Sequence, residues 1–145
     1  MTILKKIFSL MQRKPGQTLG EAIAESTNGV NLVDGKQTWE LAEDKKHELS
    51  TMLKCCDAEL ATYRKTGMVP APFYFERVAI LYRKQKNYSQ EVNHCEKYIE
   101  VVGEYYNKNN LPQNEGVKMG PRYKAIVNRL SKAKELLSKQ QEQLS

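Results

Sequence analysis

The sequence predicts an all-α protein, a compact single domain of about five helices over residues 1–145, and three observations carry that prediction. Apolar residues recur at three- and four-residue steps through most of the chain. Proline and glycine stand at the ends of those periodic runs rather than inside them. Only Val30–Val33, set between the turn signals Asn28-Gly29 and Asp34-Gly35, reads as a short strand.

The elements follow in order. Residues 2–13 place Leu4, Ile7, Phe8 and Met11 on one face, and Pro15-Gly16 ends the pattern, which gives an amphipathic helix over 1–14. Residues 17–36 are Gly- and Asn-containing and read as a loop or a small hairpin. In residues 37–66, Trp39, Ala42, Leu49, Leu53, Cys56, Leu60 and Tyr63 keep a three-four rhythm if Lys46 fills the missing step. That spacing predicts one long helix with Thr38 as N-cap and Gly67 as C-terminal cap. Pro70 and Pro72 force a corner, and Pro72 suits the first turn of the next helix. Phe75, Val78, Ala79 and Tyr82, then Val92, Cys95, Ile99, Val102 and Tyr106, make two facing stripes of a helical hairpin over 71–107. The polar run NKNNLPQNEGVKMG is a loop. The last helix, 121–139, carries Tyr123, Ile126, Leu130, Ala133 and Leu137, and QQEQLS frays. The hairpin is expected between the long helix and the last one.

A chain of 145 residues can bury a core without disulfides or metals. Its three cysteines, two of them adjacent (Cys55, Cys56) and one distant (Cys95), do not form a disulfide framework and point to a reducing, cytoplasmic setting. Lys5 and Lys6 interrupt the first apolar run and no small-residue cleavage site follows closely, unlike a secretory signal. No uninterrupted apolar stretch approaches the ~20 residues of a spanning helix.

The net charge of +6 makes this a basic protein and is unevenly placed. Lys5, Lys6, Arg13 and Lys14 stand without an acid in the first 20 residues, and Arg122, Lys124, Arg129, Lys132, Lys134 and Lys139 face Glu135 alone in 121–139. Between them, Glu40–Glu59 holds six acids and three lysines.

The stretch AILYRKQKNYSQEVNHCEKYIE resembles a tetratricopeptide repeat, through small Ala79 among large apolar neighbours, Tyr82 three residues on, and Lys-Gln-x-Asn-Tyr at the turn (residues 73–102 overall). The resemblance implies that Tyr88 packs back onto the first helix of a repeat hairpin. Glu91 and Tyr98 occupy positions where that family has small residues, and Gly103 stands at its closing proline. PAPFYFERVAILYRKQKNYSQEV with PRYKAIVNRLSKAKELL is similar to helical segments of bacterial proteins associated with HIRAN-type DNA-binding modules, which implies an association with DNA processing.

No catalytic constellation emerges. His94 and Cys95 are adjacent and so diverge by about 100° on a helix. No C-x-x-C, H-x-x-x-H, P-loop or dinucleotide glycine pattern occurs, so no enzyme activity, metal or cofactor is expected. The informative residue is tyrosine, with 8 Tyr against 3 Phe and 1 Trp. Tyr74, Tyr98 and Tyr105 lie off the packing stripes and are expected partly exposed among Arg and Lys, as in protein-binding hot spots.

The expected function is therefore a small non-catalytic adaptor that binds another protein through Tyr74, Arg77, Arg83, Lys84, Tyr98 and Tyr105. A second reading is nucleic-acid binding through Arg122, Lys124, Arg129, Lys132 and Lys134. A third lays the amphipathic helix of residues 2–13 on a membrane surface. The heptad faces of 39–63 and 123–137 suit a closed bundle and a homodimer alike.

Overall fold

A computed structural model describes residues 13–144. The expected N-terminal helix falls on residues that, up to position 12, lie outside that range. Among the described residues the chain is all-α apart from two strands of two residues each, and it divides into two compact units, Met1–Pro70 and Ala71–Ser145.

The first helix of unit 1 among the described residues is one that the sequence reading missed, α1 (Leu19–Thr27). Thr18 caps it by accepting from the Glu21 N–H, and Asn28 closes it in the left-handed conformation. Ala22 and Ile23 are its buried residues, and Met68 packs against them. Next comes the small hairpin, β1 (Leu32–Val33) antiparallel to β2 (Lys36–Gln37), with Leu32 opposite Gln37 and Val33 opposite Lys36. Asp34 and Gly35 both take positive φ, the requirement of a two-residue turn matched to strand twist.

The expected long helix over 37–66 is two helices. α2 (Thr38–Ala42) is joined by a bent segment to α3 (Leu49–Thr66). Residues 43–48, EDKKHE, contain no apolar side chain, so a continuous helix would have nothing to bury there. The N-cap is Gln37, not Thr38, and its N–H donates to the Glu40 carboxylate at 2.7 Å. α3 buries Met52, Cys55, Cys56, Ala58, Leu60 and Tyr63, and it ends as expected at left-handed Gly67, whose N–H donates to Tyr63 O at 2.7 Å.

Unit 2 is a three-helix bundle. α4 (Pro72–Lys84) starts on Pro72 and buries Tyr74, Phe75, Val78, Ala79 and Leu81. Lys86 takes φ +57° in the turn, and Asn87 caps α5 (Tyr88–Asn109) through Gln90 N–H. The loop after α5 is pinned: the Tyr106 hydroxyl donates to Glu115 O and accepts from Lys118 N–H at 3.0 Å, within a 3₁₀ turn at Gly116–Met119. α6 (Pro121–Leu144) runs further than expected and buries Ile126 and Ala133. It lies parallel to α4, because Arg122 meets Glu76, Arg83 meets Arg129, and Gln140 meets Lys86.

Candidate functional site

The residues expected to form one protein-binding patch do not lie on one surface. Tyr98 is fully buried, stacked between Phe75 at 4.7 Å and Tyr123 at 6.4 Å. Tyr74 is buried with its ring edge-on to Phe73 at 5.2 Å. Both are corrections with one cause. α4 and α5 each pack against both of the other helices of the bundle, so the buried arc of each is wider than one stripe. Tyr105 is half-buried, edge-on to Tyr106, and Arg77 is half-buried, which leaves Lys84 as the exposed member of the set.

Arg83 belongs to a buried ion cluster. Glu91 is 0% exposed. Arg83 Nε donates to its Oε1 at 2.9 Å while Nη2 lies 2.8 Å from Oε2. Arg129 Nε sits 3.6 Å from the same Oε2. Neither Oε2 nor Arg129 Nε has an aligned hydrogen-bond partner, so these two contacts are ionic rather than directional. Arg83 Nη2 also donates to Arg129 O at 3.2 Å, which ties α4, α5 and α6 together at one point. One turn beyond Glu91, burial and then the Glu91 charge push the Cys95 thiol up to about 12. In unit 1, burial and then Glu59 push Cys55 up to about 11.

The expected nucleic-acid set is similarly engaged within the protein. Arg122 pairs with Glu76 at 2.9 Å and covers the Phe73 ring at 4.8 Å. Lys132 meets Glu135 and Lys134 meets Glu96. Arg129 is turned inward, its side chain 19% exposed and its Nε 3.6 Å from buried Glu91. Lys124 is exposed. His94 Nδ1 faces the Gln90 carbonyl at 3.0 Å, which places the proton on Nδ1. Among the described residues, no three His, Cys, Asp or Glu side chains gather in a group able to hold a metal ion, and no helix is long and apolar enough to cross a membrane.

Two features of unit 1 escaped the sequence reading. Trp39, assigned to the core stripe, is 70% exposed on α2. Its helix is fixed by the Gln37–Glu40 cap at one end and buried Leu41 at the other. Beside it, Thr38 lines a half-open cavity of about 210 Å³. Leu19, Ile23, Met68 and Val69 form the apolar wall, and Asn31, Gln37, Thr38, Glu59 and Thr62 supply polar groups. Asn31 Nδ2 donates to Gly20 O at 3.0 Å and to Gln37 Oε1 at 3.1 Å, and Thr38 Oγ1 donates to Glu59 at 3.0 Å. The signal for Trp39 was local: after Ala42 its stripe meets no apolar residue before Leu49.

No family model, curated protein or solved structure matches the chain.

Proposed function

We propose that this protein is a small non-catalytic adaptor that binds another protein, and that the contact is anchored by Trp39 rather than by the tyrosines of the hairpin. The observation that carries the reading is a 70% exposed tryptophan on a helix whose two ends are both fixed. A large rigid aromatic already held in place loses little entropy when covered, which is why tryptophan dominates hot spots. The charge around it favours a protein over a nucleic acid. Glu40, Glu43 and Asp44 follow Trp39 directly and are exposed, an unfavourable neighbourhood for phosphates.

Unit 2 supports a scaffolding role for its own helices. Several of its basic side chains, Arg83, Arg122, Lys134 and Lys139, pair with acids of the same unit, Glu91, Glu76, Glu96 and Glu135. The tetratricopeptide-like hairpin and the localisation inferred from the cysteines belong to the same proposal. Affinity capture from the native host tests it. Wild-type protein should retain a partner that Trp39→Ala loses, while both melt at the same temperature. Equal capture by the two forms would remove Trp39 from the interface.

A further inference from the structure

Asn28, the left-handed residue that closes α1, stands in the one Asn-Gly step of the sequence. That dipeptide has a reactivity of its own. The peptide nitrogen of the glycine can lose its proton and attack the asparagine Cγ. A C–N bond forms, the side-chain amide nitrogen leaves as ammonia with a proton taken up, and a five-membered succinimide remains. Water then opens the ring at either carbonyl, giving aspartate or, with the chain rerouted through the side-chain carbon, isoaspartate. Glycine hinders this attack least, because it has no Cβ to crowd the ring.

Asn28 is exposed, yet the fold keeps the two reacting groups apart. With φ 57° and ψ 40° in an L residue, the next peptide nitrogen lies nearly opposite Cβ across the Cα–C bond, whereas the ring needs the two side by side. The attacking nitrogen is also engaged, since the Gly29 N–H donates to Ala24 O at 2.8 Å. Gly29 O in turn accepts from the Leu32 N–H at 3.0 Å, which ties this step to the start of β1. Reaction therefore requires the last turn of α1 to come apart. We infer that Asn28 is a latent modification site, closed while unit 1 is folded and converted to aspartate or isoaspartate when that turn opens. The conversion leaves a lasting mark. Isoaspartate lengthens the backbone by one carbon between the cap and Asn31, whose Nδ2 anchors the segment to Gly20 O and Gln37 Oε1. Aspartate puts a negative charge at the C-terminal end of a helix, where the dipole opposes it.

The test incubates the whole chain at neutral pH, native or unfolded in guanidinium chloride, and follows residue 28 by peptide-resolved mass spectrometry. Both products add one mass unit, whereas isomerisation at Asp34-Gly35 adds none. The native chain should convert at least about tenfold more slowly than the unfolded one, the factor that about 1.4 kcal/mol of opening free energy supplies. Asn28→Gly removes the reactive side chain and keeps a residue suited to a left-handed cap. After equal ageing in denaturant and refolding, wild type should melt lower than Asn28→Gly, read by the fluorescence of Trp39, the single tryptophan of the chain, in unit 1. Fresh samples of the two should both refold. The inference is overturned if the native chain converts as fast as the unfolded one, or if neither converts. It is likewise overturned if aged wild type refolds to the stability of aged Asn28→Gly.

Discussion

Replacing Arg83 by Met keeps the side-chain stem and removes the charge that holds Glu91. Glu91 is fully buried, and its other cation, Arg129, stands 3.6 Å away without an aligned hydrogen bond. Breaking a buried pair by removing one partner costs about 3–5 kcal/mol, because a charge is left uncompensated in a poor solvent. Here the Arg83 side chain is 27% exposed, so water can partly replace it. Arg129 also stays nearby. We therefore expect a loss of about 2–3 kcal/mol. For a unit of this size that lowers the melting temperature by roughly 10 °C or more. Far-UV circular dichroism is the right probe, since Trp39 fluorescence reports unit 1. Replacing both Glu91 and Arg129 by Met in the same variant removes the two charges left behind, and an apolar substitute for a whole buried ion cluster is often neutral. The triple variant should recover to within about 1 kcal/mol of wild type. A loss below about 0.5 kcal/mol for Arg83→Met, or a triple variant no more stable than the single, would refute the reasoning.

Four further outcomes follow from particular contacts. Tyr106→Phe strands the Lys118 N–H and the Glu115 carbonyl, and should cost about 1–2 kcal/mol in chemical denaturation. Cys55, Cys56 and Cys95 are buried, so a disulfide reagent at pH 8 should label none of them in native protein and all three after denaturation. Because the native state keeps Cys55 and Cys95 protonated to about 11 and about 12 against an ordinary 9, their contribution to stability is fully present below pH 9 and is lost as pH rises through those values. Duplex DNA at near-physiological salt should bind no tighter than about 10⁻⁵ M by fluorescence anisotropy, a non-specific level, since Arg122, Arg129, Lys132 and Lys134 already face acids of the protein.

The hairpin was legible because its signals are local. Pro72 at the first turn, the Lys86-Asn87 turn and two three-four stripes need no knowledge of the rest of the chain. Gly67 was legible for the same reason, as a left-handed cap directly after a periodic run. α1 was missed although Thr18 and Glu21 have the spacing of a capping box, because Gly20 and short, weakly apolar residues dilute its periodicity. Gly20 is there for packing. A Cβ would lie 2.5 Å from Gln37 Oε1. The candidate sites were harder. Glu91 reads as a solvent residue until Arg83, eight positions earlier, and Arg129, 38 later, are brought to it by the fold. Tyr98 reads as an off-stripe aromatic until a second helix covers that side of α5. The cavity depends on Leu19, Asn31 and Glu59, which no spacing rule joins.

The adaptor reading meets its most direct test in site-specific photo-crosslinking in the native host. A benzophenone side chain placed at Trp39 is compared with one at exposed Lys124. Position 39 should give a discrete protein adduct that excess wild-type protein competes away and excess Trp39→Ala does not. Position 124 should not give that adduct. Adducts to nucleic acid, or protein adducts from Lys124 and none from Trp39, would contradict a protein-binding function anchored on α2.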